Sequence, residues 1–176
     1  MIDLHTLQAI CPKTKVSVLA RFVEPLNEAF KEFQIDNGAR ESAFLAQAAH
    51  ESGGFNYMRE LASGEAYEGR KDLGNDEPGE GVRYKGRGIF QLTGDANYRL
   101  AGTEIWGDPD YLTYNPALAE EPFNACRIAG WYWKRNGLNE LADKGDFLKI
   151  TKRINGGTNG LQDRIAYLER AEAVIG

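Results

Sequence analysis

Apolar residues recur at three- and four-residue spacing over most of the chain, and the spacing predicts helices. After Thr14, Val18 and Phe22 mark one helical face, and Leu26, Phe30 and Phe33 a second, with Pro25 placed to open the second helix. Asp36-Asn37-Gly38 interrupts the pattern. A further helix is predicted from about Ala39 to Ser52, where Gly53-Gly54 ends it. Phe44, Ala48 and Glu51 share one face of it, so an acid continues an apolar stripe. From Ser63 to Gly88 the period vanishes and seven glycines appear, which predicts a long irregular loop with room for a short hairpin. Loops of this length in a compact domain carry function or disorder.

Helical spacing then returns. Thr93 and Asp95 are placed to cap a helix through Tyr98 and Leu100, and Asn115-Pro116 opens another helical region. Pro122 begins the most apolar helix, which carries Phe123, Cys126, Ile128, Trp131, Tyr132 and Trp133 and stops at Asn136-Gly137. It reads as the central core helix, its aromatics as core rather than sugar platforms. A helix from Asp146 to Ile154 stops at Asn155-Gly156-Gly157, and a last one from about Leu161 sets Leu161, Ile165, Leu168 and Ala171 on one face. The outline is mainly α, with little β and no internal repeat.

A length of 176 residues with 42% hydrophobic content predicts a single domain over 1–176, with room for two lobes around a groove and a small lobe at about 53–95. The net charge of −5 argues against a nucleic-acid partner, because phosphate binding draws on a surplus of Lys and Arg. Met1 to Ile10 shows no basic run followed by an apolar stretch, so no secretory signal is evident, and no segment is apolar enough to insert in a membrane. Cys11 and Cys126 make no disulfide framework or metal-ligand spacing and read as reduced, structural thiols.

The candidate chemistry lies in two segments, Ala49 to Phe55 and Tyr84 to Gly94. Hydrolysis of a glycosidic bond needs one acid to protonate the leaving oxygen and a second carboxylate to activate water or attack the sugar. Glu51 is the best acid, on a face where desolvation raises a carboxyl pKa. Standing alone, it would be read as a helix-end carboxylate held by a nearby Arg. Glu60, Glu65 and Glu68 are three candidates for the second carboxylate, and spacing does not choose among them. A continuous helix would set Glu51 and Glu60 on opposite faces, whereas the Gly53-Gly54 break lets the chain double back across a cleft. His50-Glu51 also begins a zinc-protease motif, but Gly54 stands where the second His belongs, so no metal or other cofactor is predicted and His50 reads as a hydrogen-bonding support. Gln91 and Thr93 offer polar groups at alternate positions in a Gly-rich turn. Asn155 stands at a helix end, and Arg164, one turn into the last helix, is placed to pair with a catalytic carboxylate.

Taken in order, these motifs resemble glycoside hydrolase family 19, the family of plant-type chitinases, their bacterial relatives and a group of phage endolysins. The resemblance covers roughly residues 40–170 and implies a lysozyme-like α-helical domain whose two lobes flank a substrate groove. His50-Glu51 is similar to the family's His-Glu at the general acid. The bacterial branch has its second catalytic Glu nine residues further on, which implies Glu60 rather than Glu65 or Glu68. Tyr84 to Thr93 resembles the segment that faces substrate, implying that Thr93 holds the attacking water and that Tyr84, Gln91 and Asn97 contact sugar. Ile154-Asn155-Gly156-Gly157 and Asp163-Arg164-Ile165 resemble two later motifs, implying that Asn155 contacts the sugar amide and Arg164 belongs to the site. Plant enzymes carry an acid after the Gly-Gly that bridges to this Arg. Here Thr158-Asn159 follow.

The resemblance implies an inverting, single-displacement hydrolase. Its expected substrate is bacterial peptidoglycan, cut by a monomeric endolysin that stays in the host bacterial cytoplasm until it is released to the wall. Chitin oligosaccharide, a single-Glu lytic transglycosylase mechanism and a noncatalytic wall-binding protein are the alternatives.

Overall fold

The computed structural model spans Met1 to Gly176. It begins with a helix that the sequence pattern did not single out, α1 (Leu4–Ile10), capped by Asp3, whose carboxylate accepts from Thr6 N at 2.8 Å. Helices α2 (Val16–Ala20) and α3 (Val23–Glu32) meet at Arg21-Phe22. Pro25 therefore lies within the first turn of α3 and does not open it. It is tolerated there because first-turn N–H groups have no intrahelical acceptor.

Helix α4 (Gly38–Glu51) starts at Asn37, whose side chain accepts from Arg40 N at 2.9 Å. At its other end Ser52 Oγ donates to Ala48 O at 2.6 Å and accepts from Phe55 N at 2.8 Å. Gly53, Gly54 and Phe55 follow with φ of 58°, 70° and 67°. A side chain in this left-handed region costs about 1–2 kcal/mol. Phe55 is fully buried against Phe22, ring centroids 5.2 Å apart, and burial of a ring of that size contributes about 1.5–3 kcal/mol. The core thus holds the reversal that follows Glu51.

The main core surrounds α4. Phe44 packs against Phe30 at 5.2 Å, Trp133 at 5.2 Å and Phe90 at 5.6 Å, which ties the segment around residue 90 to the centre of the molecule. The largest helix contact is between α4 and α11 (Leu161–Ile175), and α8 (Pro122–Arg135) lies against α3. Phe123, expected in the core, is 50% exposed at the start of α8. A second apolar cluster joins Tyr84, Tyr98, Ala101, Leu112, Ala119, Ile128 and Trp131. It is built by α5 (Glu80–Arg83), α6 (Asp95–Trp106), α7 (Tyr111–Tyr114) and a 3-10 turn, Pro116–Glu120, against the other side of α8. Helices α9 (Leu138–Asp143) and α10 (Phe147–Asn155) complete the fold, the latter capped by the Asp146 side chain.

The fold is mainly α; its only β pairing is two isolated bridges. Both cysteines are buried and unbonded, and burial pushes the Cys11 thiol up to about 12. No helix is long and apolar enough to cross a membrane.

Candidate active site

The two bridges set the geometry. Arg59 pairs with Arg87, and Arg87 with Leu92, through hydrogen bonds that include Glu60 N to Gly86 O at 3.0 Å and Leu92 N to Arg87 O at 2.8 Å. Side chains alternate between faces along extended backbone, so the neighbouring row is Glu60, Gly86, Thr93, on the face opposite the two arginines. The middle member has no side chain. A Cβ on Gly86 would stand 2.9 Å from Glu60 Oε2, 3.3 Å from Thr93 Oγ1 and 2.6 Å from Gln91 Oε1. Three oxygens therefore converge over one glycine α-carbon.

Each is oriented by further bonds. Glu60 Oε2 accepts from the Tyr67 hydroxyl at 2.9 Å, while its Oε1 is buried and takes no hydrogen bond from the protein. Tyr67 stands on a 3-10 turn, Glu65–Tyr67, within the glycine-rich loop, and the sequence reading passed over it. Burial, and next its bond to Glu60, raise its pKa and keep it a donor. Thr93 does not cap α6. Its hydroxyl donates to Gln91 O at 2.9 Å, the N-cap is Gly94, and Asp95 pairs with Arg99 at 2.9 Å. Because a carbonyl only accepts, the Thr93 hydrogen is committed there and its lone pairs are left for another donor. Gln91, at φ 58°, donates through Nε2 to Gly88 O at 2.9 Å, and Asn97 donates to Thr93 O at 2.8 Å.

Glu51 is the last residue of α4, and its Oε1 lies 2.6 Å from Arg164 Nη2. Arg164 is 1% exposed, with Nη1 on Gln47 Oε1 at 2.5 Å and Nε on Asn159 O at 3.1 Å. Gln47 in turn donates to Thr151 at 2.9 Å. The expectation of an acid alone on an apolar stripe is corrected here, since a buried guanidinium lies against one of its oxygens. Arg164 pairs with Glu51, not Glu60, and the main-chain oxygen of Asn159 serves where an acidic bridge was missing from the sequence. Glu51 is thus the only carboxylate on a buried cation.

His50 Nδ1 lies 2.7 Å from Asp163 Oδ2, and a Cβ on Gly160 would strike its ring, so His50 fastens the loop after α10 to the end of α4. In that loop Asn155 Oδ1 accepts from Asn159 N at 3.2 Å. Tyr84 is buried, packed on Tyr98 at 5.3 Å within the second apolar cluster, and is not part of the cleft wall. A cavity of about 300 Å³ opens beside Gln91, Thr93 and Asn97 and extends along α8 past Trp131, Tyr132 and Asn136. Two aromatics assigned to the core from sequence thus line this cavity, which meets the site at Gln91 and Thr93 and is not lined by Glu51 or Glu60, while Trp133 is fully buried. Burial, and next the charge of Glu51, raise the Tyr132 phenol. No group of three or more His, Cys, Asp or Glu side chains converges to hold a metal.

No family model matches the chain. It is, however, 32% identical over 163 residues to a glycosyl hydrolase family 19 domain-containing protein of Haemophilus influenzae, an alignment that takes in 73% of this chain and 76% of that protein. The chain belongs to glycoside hydrolase family 19. An endochitinase of Arabidopsis thaliana is 38% identical over 132 residues, taking in 72% of this chain and 44% of its own, so this family 19 chain spans less than half of that relative. The fold matches that of a bacterial family 19 chitinase with a TM-score of 0.80 at 22% identity, over 99% of this chain and 95% of the other. The mainly helical architecture is therefore the lysozyme-like fold of family 19, and the protein is a glycoside hydrolase.

Proposed function

We propose that this family 19 enzyme is an endolysin that cuts the β-1,4 glycosidic bonds of bacterial peptidoglycan in a single displacement with inversion. Glu51 is the general acid. Arg164 occupies its Oε1 and no protein group bonds its Oε2, which is the oxygen that delivers the proton to the leaving group. The carboxylate left behind is already paired with a buried cation, so charge that develops in the transition state meets a preorganised partner. Glu60 is the base. Tyr67 orients its Oε2, the oxygen beside Thr93 over Gly86; the remaining lone pair of that oxygen takes a proton from water, and the lone pairs of Thr93 accept that water's second hydrogen.

The observation that carries the reading is the row Glu60, Gly86, Thr93, which sets a carboxylate and an accepting hydroxyl side by side over a glycine. An inverting enzyme needs room for that water, its carboxyl groups standing roughly 6.5–9.5 Å apart. A transglycosylase using Glu51 alone has no use for the row.

Chitin and peptidoglycan share a β-1,4 backbone with N-acetyl groups, so the same machinery serves either. Peptidoglycan alone of the two bears carboxylates, and α10, whose Arg153 is bonded to the cavity-lining Asn136 and Tyr132, exposes Lys149 and Lys152. The names of the Arabidopsis relative and the bacterial structure, an endochitinase and a chitinase, favour chitin oligosaccharide as the second reading. Mass spectrometry of fragments from purified peptidoglycan, with chitin oligomers in parallel, tests the choice. Hydrated reducing ends from peptidoglycan are expected; cleavage of chitin alone would transfer the assignment to the second reading, and anhydro ends to a transglycosylase.

A further inference from the structure

Helix α10 turns Lys149, Lys152 and Arg153 to one exposed side, three and four residues apart. The chain's net charge is −5, and Glu140 Oε2 stands with Arg153 Nη1 beside Gly137 without forming an ion pair. None of the three takes part in an ion pair, and neither does Lys134 at the end of α8. Arg153 donates to the main-chain oxygen of Asn136 at 2.6 Å, and Lys134 to the amide oxygen of Gln34 at 3.0 Å, both neutral acceptors. The nearest acid on the same element, Asp146, is engaged with the helix N-terminus through Lys149 N at 3.1 Å.

This face is continuous with the cleft. Asn136 and Tyr132 line the cavity, and both are bonded to Arg153, the second through its hydroxyl to Arg153 O at 3.3 Å. Lys149 lies one helical turn from Arg153, about 6 Å along the axis. Two residues past Arg153, α10 ends at Asn155 and runs into the loop that His50 holds beside Glu51. A polymer lying in the cleft passes beside these cations. Whatever hangs from it on that side meets positive charge within a Debye length of about 8 Å at physiological salt.

We propose that the Lys149–Lys152 face of α10 is a subsite for the free carboxylates of the peptide stems carried by a peptidoglycan strand bound in the cleft. The proposal rests on peptidoglycan being the substrate. A chitin strand is uncharged and gains nothing from this face.

The test is the double variant Lys149→Gln/Lys152→Gln in the full chain; both side chains are exposed and unpaired, so the fold is left alone, and Arg153 with its bond to Asn136 is retained. Steady-state kinetics are compared on intact peptidoglycan, on the same strands stripped of their stem carboxylates by carbodiimide-driven amidation with ammonia, and on chitin oligomers. At low salt the variant should raise KM for intact peptidoglycan about fivefold with kcat unchanged, from two exposed charge contacts of modest strength. Stripped strands and chitin oligomers should show no difference, and about 0.3 M salt should erase the effect on intact peptidoglycan. An unchanged KM on intact peptidoglycan, or an equal rise on stripped strands, would overturn the subsite while leaving the substrate reading in place. Unchanged kinetics together with binding of wild type, but not variant, to phosphatidylglycerol vesicles would overturn it in favour of a lipid surface. Wild type that cuts chitin oligomers and neither form of peptidoglycan would remove the substrate reading itself.

Discussion

Glu60 and Thr93 face one another across Gly86, in a row set by two isolated bridges, Arg59 with Arg87 and Arg87 with Leu92. The glycine is needed for its missing side chain and not for its backbone, since its φ is not in the left-handed region. Gly86→Ala should lower kcat about 100-fold, in line with small misplacements of reacting groups, and leave the melting temperature nearly unchanged. Steady-state kinetics beside thermal denaturation check this; an active alanine variant would show that the space over Gly86 is not used.

Tyr67 holds Glu60 by one charge-assisted hydrogen bond. Such bonds contribute about 1.5–3 kcal/mol, so Tyr67→Phe should reduce kcat about tenfold or more with little change in KM. A matching rise in KM instead would make Tyr67 a sugar contact and not a positioning residue for the base.

The pair of Glu51 and Arg164 gives the acid a structural role as well. Glu51→Ala leaves a buried guanidinium without a carboxylate and should cost about 2–3 kcal/mol, less than the roughly 3–5 kcal/mol of a fully buried pair because Glu51 is partly open to solvent. Glu60→Gln should cost far less. Adding Arg164→Met to Glu51→Ala should restore part of the loss, and urea denaturation of the four proteins measures all of these effects.

Alkali should unfold the protein through groups buried in neutral form. Burial pushes Tyr98 and Cys11 each up to about 12 and raises Cys126 as well. Above the ordinary thiol and phenol values the unfolded chain holds fewer protons than the folded one, so stability falls as pH rises. It should be full below about pH 8 and decline from about pH 9 toward 12. Denaturation midpoints that stay level across that window would contradict these assignments.

Much of this was legible in the chain. Asn37 and Gly53-Gly54 bracket α4 almost to the residue, and Pro122 and Gly137 bracket α8, because caps and breakers act locally. Helix α1 was not legible from periodicity, being only seven residues long, although Asp3 was there to cap it. Thr93 was misread as a cap because a hydroxyl before a helix has that local option, and only the pairing with Arg87 turns it toward Glu60. Arg164 was legible as a partner for a catalytic carboxylate, but its burial beside the stripe of Leu161, Ile165, Leu168 and Ala171 was not, since its partners Gln47 and Glu51 are distant in sequence. Tyr67 lies in a loop whose shape no period announces.

The central claim is that Glu60 and Thr93 direct water to the face opposite Glu51. Proton NMR of the anomeric signals in the first minutes after enzyme is added to a soluble β-1,4 N-acetylglycan reads this directly, before mutarotation mixes the products. The account predicts that the newly formed reducing ends are α-anomers. Newly formed β-anomers, or anhydro ends with no reducing signal, would contradict it.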